Sequence, residues 1–175
     1  MMIDLSNITF LVVDDNPNVR KIVKSILHAL GGRVIKEAGD GTEAFDVLKS
    51  FRADIIIVDW MMKPMNGLEF TRRIRTDKNS LNISIPIIMI SGHTEIDKIH
   101  EARDAGVTEF LAKPLSPEKL YQRIAGIILK PRQFVRTKSF FGPDRHRHSD
   151  EGFEGKRRRS SDVDEGMENV EKLIS

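Results

Sequence analysis

The chain has 175 residues, enough for one domain with an appendage, and its net charge of +2 is too small to indicate nucleic-acid binding by the whole chain. It has no cysteine, which excludes a disulfide framework, a thiolate metal site and a cysteine nucleophile. The longest apolar runs fall far short of the roughly 20 residues that span a bilayer. The first residues also lack the pattern of a secretion signal. We therefore expect a soluble, cytoplasmic protein.

The distribution of charge divides the chain into two parts. Residues 1–130 have 18 basic and 17 acidic side chains, whereas residues 131–159 have 9 and 4, and residues 160–175 have 1 and 5. A basic block followed by an acidic block, with few apolar residues, buries too little surface to offset the entropy of ordering. We expect a globular domain over residues 5–129 and a charged, mostly disordered tail over residues 130–175.

Five strand patterns alternate with five helical patterns along the globular part. Short runs of apolar, often β-branched residues predict strands at 8–13, 34–35, 55–58, 86–90 and 108–111. Apolar residues at helical spacing predict helices at 19–30, 42–51, 68–74, 96–105 and 117–129. Because the central strands are uniformly apolar, we expect an α/β fold with a parallel sheet that helices cover on both faces.

Polar side chains stand directly after the predicted strands, at the edge where such sheets bind ligands. They are Asp14 and Asp15 after the first strand, Asp59 after the third, Ser91 after the fourth and Lys113 after the fifth. Converging carboxylates repel one another unless a cation is present, and Mg²⁺ accepts a few carboxylates while keeping waters that a phosphate can replace. A hydroxyl and an ammonium would bind other phosphoryl oxygens, which leaves one carboxylate as the nucleophile that forms an acyl phosphate.

Each of these residues also has a purely structural interpretation. Asp14, Asp15 and Asn16 before Pro17 suit the start of a helix, and Ser91-Gly92 and Lys113-Pro114 suit a turn and a loop. The combination of these residues favours the chemical interpretation. A carboxylate pair, a carboxylate, a hydroxyl and a lysine occur in that order, each at the end of the expected strand.

Residues 5–129 resemble a response-regulator receiver domain of the CheY type. The motifs that support this resemblance are Leu11-Val12-Val13-Asp14-Asp15, Asp59-Trp60-Met61-Met62-Lys63-Pro64-Met65-Asn66-Gly67, Ile88-Met89-Ile90-Ser91-Gly92 and Phe110-Leu111-Ala112-Lys113-Pro114. The resemblance implies a doubly wound, flavodoxin-like sheet of five parallel strands in the order 2-1-3-4-5, with five helices.

The resemblance also implies a phosphorylation site with Mg²⁺ as cofactor. Asp59 would be the phosphoacceptor. The metal would be held by Asp14, Asp15 and Asp59, together with the backbone carbonyl of Met61. The protein would then be a signalling switch rather than an enzyme, apart from its own Mg²⁺-dependent phosphorylation and dephosphorylation.

The same resemblance assigns a switch to the other side of the site. Ser91 would be the switch hydroxyl, Phe110 the switch aromatic, and Lys113 the cation that binds the phosphate. The Lys113–Pro114 peptide bond would be cis, which is mostly a property of bonds before proline.

The sequence departs from the family pattern at two positions, and a histidine lies near the site. Lys63 stands where the family has a proline, with Pro64 one place later, although Gly67 stays in register. Phe110 replaces the frequent tyrosine, so the switch aromatic has no hydroxyl to offer a partner. His93, two residues after Ser91, would lie at the rim of the site.

The implied partners are proteins. A sensor histidine kinase or a phosphotransfer protein would donate the phosphoryl group. A downstream target would bind the face formed by the fourth helix, the fifth strand and the fifth helix. We expect no membrane partner, and nucleic acid is not favoured.

Three other functions are alternatives to a phosphorylation switch. A Mg²⁺-dependent phosphatase with an aspartate nucleophile, of the haloacid-dehalogenase kind, would need Asp-x-Asp after its nucleophile strand and a cap, whereas Asp59 is followed by Trp60-Met61. A flavin carrier would need a phosphate loop where Asp14 and Asp15 repel anions. Nucleic-acid or cyclic-dinucleotide binding through the tail could coexist with a switch.

The tail contains its own motifs. Lys156-Arg157-Arg158-Arg159 could contact phosphates, although a solvated linker explains the run equally well. Ser139-Phe140-Phe141-Gly142-Pro143-Asp144-Arg145 has adjacent aromatics in a polar context, which suggests a docking element. A capping box at Ser161 and Asp164 predicts one short helix near 163–174.

Overall fold

The computed structural model describes residues 3–77, 82–137 and 140–144. Strands and helices alternate as the sequence predicts, with ends that differ from the predicted ones by a few residues. The elements of this part are β1 (Thr9–Val13), α1 (Pro17–Ala29), β2 (Val34–Ala38), α2 (Gly41–Leu48), β3 (Ile55–Asp59), α3 (Gly67–Thr76), β4 (Ile87–Ser91), α4 (Ile96–Asp104), β5 (Glu109–Ala112) and α5 (Pro117–Leu129).

The first five strands form one parallel sheet in the order β2-β1-β3-β4-β5. This order confirms the predicted doubly wound, flavodoxin-like α/β fold. Every residue of β3 and β4 is buried, in accord with their unbroken apolar sequences. Because the strands are parallel, Val13, Asp59, Ser91 and Ala112 end them at the same edge of the sheet.

Two apolar cores lie on opposite faces of the sheet, since successive strand side chains point to opposite sides. One core packs α1 and α5 against the sheet through Val23, Ile26, Leu27, Leu120, Ile124 and Ile127. The other packs α2, α3 and α4 through Ala44, Leu68, Phe70, Ile74, Ile99 and Ala102. The sheet is therefore covered on both faces, as predicted.

Several helices begin at polar caps that follow the strands closely. The side chain of Asn16 accepts from the backbone N–H of Asn18 at 2.9 Å, and Pro17 begins α1. The side chain of Asn66 accepts from the N–H of Glu69 at 2.8 Å at the start of α3. The structural interpretation of the Asp14-to-Pro17 segment is thus correct for Asn16, whereas Oδ1 of Asp14 accepts the backbone N–H of Asn16 at 2.8 Å and does not cap α1.

The beginning of the predicted tail is folded, which corrects the expectation of disorder there. β6 (Phe134–Arg136) and β7 (Phe141–Pro143) form an antiparallel pair, called here the C-terminal hairpin. Its two aromatic rings, Phe134 and Phe141, pack at a centroid distance of 5.6 Å. These apolar contacts bury surface within a short stretch of the tail. The average composition of the whole tail is too polar to predict this.

The predicted helix near 163–174 and the basic run at 156–159 lie outside the described residues. Nothing in the part of the chain that the structure describes forms a helix of the length and apolarity that a membrane crossing requires.

Candidate functional site

The carboxyl edge of the sheet holds buried polar side chains from three neighbouring strands. Asp14 directly follows β1, Asp59 ends β3 and Ser91 ends β4, with 3%, 5% and 1% of their surfaces exposed. Asp15 belongs to the same edge but is exposed. The structure thus brings the predicted residues to one edge, with Asp15 at its outer side.

Asp59 is bonded through both carboxylate oxygens. Oδ1 lies 2.7 Å from Nζ of Lys113, and Oδ2 accepts the backbone N–H of Met61 at 2.7 Å. The backbone N–H of Lys113 donates in turn to the carbonyl oxygen of Ser91 at 2.8 Å. These bonds place an ammonium group directly on the candidate nucleophile.

Asp14 stands in an unfavourable environment for a negative charge. Burial raises the pKa of Asp14 above its ordinary value, and the nearby carboxylates of Asp59 and Asp15 raise it further. A hydrogen bond from the N–H of Asn16 and the charge of Lys113 act in the opposite direction and only partly offset this. A divalent cation would relieve the remaining repulsion.

The predicted Mg²⁺ ligands are not assembled as a ready metal site. Among the described residues, no three His, Asp or Glu side chains are arranged so that they could hold a metal ion. Of the ligands that the sequence predicts, Asp59 is paired with Lys113, and the side chain of Asp15 is exposed. The donor chemistry still fits Mg²⁺, because Asp14 is a buried carboxylate whose charge is incompletely balanced.

Ser91 and Phe110 lie on the same face of the sheet. Met89 pairs with Phe110 across β4 and β5, and Ser91 follows Met89 by two residues, so both side chains point toward α4. The hydroxyl oxygen of Ser91 accepts the backbone N–H of His93 at 2.9 Å. Phe110 is 4% exposed and packs in the core on that face.

His93 lies at the rim, as the sequence predicts. Half of its side chain is exposed, and Nδ1 is 3.7 Å from Oε1 of Glu95. Its backbone N–H, rather than its ring, makes the contact with Ser91.

The geometry gives a structural reason for Gly67, which the quoted motif contains, and adds Arg20, which sequence reasoning did not single out. A Cβ atom on Gly67 would collide with the backbone carbonyl of Asp59, and the Gly67 N–H donates to the carbonyl oxygen of Trp60 at 3.0 Å. The guanidinium of Arg20 donates to the carbonyl oxygen of Asp14 at 2.6 Å. The position of Gly67 directly after the Asn66 cap was a usable signal, whereas nothing in the sequence pointed to Arg20.

The two prolines of the site loops have cis peptide bonds. The Lys113–Pro114 bond is cis, which confirms the prediction. The Lys63–Pro64 bond is also cis, and the sequence did not predict it.

Comparisons with known proteins agree with this architecture. The family described as "Response regulator receiver domain" matches residues 10–125. The chemotaxis protein CheY of Pseudomonas aeruginosa is 35% identical over 117 residues, which is 67% of this chain and 93% of that protein. CheY1 of Helicobacter pylori is 36% identical over 120 residues, with 67% and 94% covered.

Solved structures are similar over the same region. The chemotaxis response regulator CheY4 of Vibrio cholerae has a TM-score of 0.63 and 32% identity, over 69% of this chain and 98% of that one. A chain in the CheX-CheY-BeF3-Mg complex from Borrelia burgdorferi also has a TM-score of 0.63, with 29% identity, over 70% and 90% of the two chains.

Proposed function

Because this chain belongs to the response-regulator receiver family, we propose that it is a phosphorylation switch in which Asp59 accepts a phosphoryl group. The observation that best supports this proposal is the contact of 2.7 Å between Lys113 Nζ and Asp59 Oδ1 at the buried carboxyl edge. That ammonium is positioned to bind the oxygens of a phosphoryl group attached to the same carboxylate.

The proposed reaction is a phosphoryl transfer from a phosphohistidine of a sensor kinase or phosphotransfer protein. A carboxylate oxygen of Asp59 attacks the phosphorus atom, the P–N bond breaks, and the histidine leaves with its electron pair and takes a proton. The product is an acyl phosphate on Asp59. Lys113 and the hydroxyl of Ser91 would bind phosphoryl oxygens, since both reach the same edge of the sheet.

Mg²⁺ is the cofactor that the site chemistry favours. Asp14, Asp15, Asp59 and the backbone carbonyl of Met61 would hold the ion, which would balance the negative charge of the carboxylates and the phosphoryl group. The raised pKa of Asp14 supports this assignment, because the buried carboxylate lacks sufficient positive charge around it. Loading the site requires Asp59 to share its oxygens between Lys113 and the ion.

The proposed switch links Asp59 to the face formed by α4, β5 and α5. A phosphoryl group on Asp59 would attract the Ser91 hydroxyl, which would then leave the His93 N–H. Phe110 lies on the same face of the sheet and would fill the vacated space. A downstream protein that binds α4, β5 and α5 would sense this change. The free energy available to drive the conformational change is limited by the difference in phosphate contacts between the two states.

Acetyl phosphate labelling in the presence of Mg²⁺ tests the assignment. Intact-protein mass spectrometry should find one added phosphoryl group in the wild type and none in Asp59→Asn or when EDTA removes Mg²⁺. Asp15→Ala should also fail to label, because it would weaken Mg²⁺ binding. Asp97→Asn, at an exposed carboxylate in α4, is the matched control and should label normally. Labelling of Asp59→Asn at the wild-type rate would show that another residue accepts the phosphoryl group.

A further inference from the structure

The C-terminal hairpin lies at the edge of the sheet opposite to Asp59. It contacts the last turn of α3 and the turn between α4 and β5 (residues 105–108, called here the α4–β5 turn), while Arg132, two residues before β6, contacts the first residue of β5. β5 begins at this edge and ends beside the candidate site, where Lys113 follows it. The hairpin and the residue that precedes it therefore contact the start of β5 and the turn that leads into it.

Arg75 joins the hairpin to two loops of the domain. Its guanidinium is 3% exposed and donates to the carbonyl oxygens of Gly106 at 3.0 Å, Ile83 at 2.7 Å and Ile85 at 2.7 Å. The ring of Phe134 stacks on it, with its centroid 5.0 Å from the guanidinium carbon. Burial lowers the pKa of Arg75 to about 9, which still leaves the group charged at neutral pH.

The backbone of β7 touches the α4–β5 turn directly. A Cβ atom on Gly142 would lie 3.0 Å from the Cα of Gly106 and 2.6 Å from the ring of Phe140. A Cβ atom on Gly106, whose φ is +95°, would lie 3.2 Å from the carbonyl oxygen of Phe141. Gly106 needs glycine for its φ, and a methyl group at residue 142 would push the two backbones apart by a few tenths of an ångström, so the two segments pack closely here.

An ion pair holds the segment before β6. Arg132 Nη2 lies 3.3 Å from Oε1 of Glu109, and 21% and 11% of the two side chains are exposed. The hairpin is closed at its base by a hydrogen bond of 2.7 Å from the N–H of Asp144 to the carbonyl oxygen of Gln133. The described residues 132–137 and 140–144 are thus anchored at α3, at the α4–β5 turn and at β5.

We propose that residues 132–137 and 140–144 act as a strap that holds the α4–β5 turn against α3 and so sets how readily β5 opens locally. The family match ends at residue 125, so the strap is an addition to the receiver fold. β5 contains Phe110, and a ligand that displaces the strap would loosen this strand from the edge opposite to Asp59. The inference goes beyond the proposed phosphorylation and does not depend on it.

Amide hydrogen exchange on the full chain tests the strap. Gly142→Ala places a methyl group against Gly106, whereas Gly126→Ala is the matched control because nothing lies within 4 Å of its Cβ position. We expect exchange across residues 106–112 to become about tenfold faster in Gly142→Ala and to stay unchanged in Gly126→Ala. Peptides covering β1 serve as the internal reference and should exchange as in the wild type.

A second variant removes the stacking rather than the backbone contact. Phe134→Ala leaves the glycines intact and should accelerate the same peptides. Wild-type exchange across 106–112 in both variants would overturn the strap, and so would an equal acceleration in β1, because the hairpin would then add only to global stability. No phosphodonor is present in these measurements, so their outcome is independent of whether Asp59 is phosphorylated.

Discussion

Lys113 Nζ lies 2.7 Å from Oδ1 of Asp59, and this ion pair spans the gap between the ends of β5 and β3. It neutralises one of the two buried carboxylates at the carboxyl edge. The charge of Lys113 also lowers the pKa of the other carboxylate, Asp14, but burial is the larger effect and the pKa is raised overall. The site is therefore arranged with one carboxylate already paired and a second that still lacks a cation.

The first prediction concerns the stability effect of Asp14. Asp14→Asn removes a buried charge that burial and Asp59 disfavour, so it should raise the free energy of unfolding by about 1 kcal/mol at pH 7 without metal. Because the pKa is raised in the folded protein, the gain should shrink as the pH falls through the raised value toward the ordinary 3.8. Urea denaturation at several pH values measures it, with Asp97→Asn, at an exposed carboxylate in α4, as control. A wild type that is more stable than Asp14→Asn at pH 7 would contradict the argument.

The second prediction concerns Mg²⁺ and the same carboxylate. Mg²⁺ at ten times its dissociation constant should stabilise the wild type by about 1.4 kcal/mol, since the ion binds the folded state alone. Asp14→Asn should lose most of this gain. Thermal unfolding with and without MgCl₂ measures it, and an equal rise in melting temperature for both proteins would place the ion elsewhere.

The third prediction concerns the backbone at Asp59. Gly67→Ala forces a methyl group onto the carbonyl of Asp59, so the loop after β3 must shift. We expect a loss of about 2–4 kcal/mol in stability and slower acetyl phosphate labelling. Gly92→Ala is the control, because its Cβ would meet nothing within 4 Å although it stands at the same edge. If both variants label and unfold alike, the close approach has no consequence.

The fourth prediction concerns Ser91. Ser91→Ala should still accept a phosphoryl group, because Asp59 and Lys113 are unchanged. In the wild type, phosphorylation should change amide exchange across β5. Ser91→Ala should lose most of that change, since it has no hydroxyl to bind the phosphoryl group. Thr94→Ala, in the exposed loop, should behave like the wild type. A full exchange response in phosphorylated Ser91→Ala would separate the hydroxyl from the switch.

The fifth prediction concerns Arg75. Arg75→Met leaves two buried carbonyl oxygens and one partly buried one without the donor that they now have, so the free energy of unfolding should fall by about 2–4 kcal/mol. Arg73→Met, two residues earlier, removes only an exposed ion pair with Glu69 and should cost less than about 1 kcal/mol. Urea denaturation of the two variants compares them. Equal losses would mean that the carbonyl contacts contribute little.

The sequence by itself determined the alternation of elements, the parallel sheet and the edge where the site lies. Local patterns suffice for this, because the apolar runs of β3 and β4 and the helical spacing of α1 and α5 report which surfaces must be buried. The residues at the strand ends were predictable for the same reason, since parallel strands bring their carboxyl ends together.

Only the tertiary structure decided how those residues pair and what covers the opposite edge. Whether Asp59 pairs with a metal ion or with Lys113 depends on side-chain positions that no local pattern encodes. Among the described residues, the predicted metal ligands are not preassembled. The C-terminal hairpin depends on Arg75 and Gly106, which are distant in sequence from Phe134 and Gly142. Composition averages predicted disorder for this segment, because the burial that stabilises it comes from contacts with the rest of the fold.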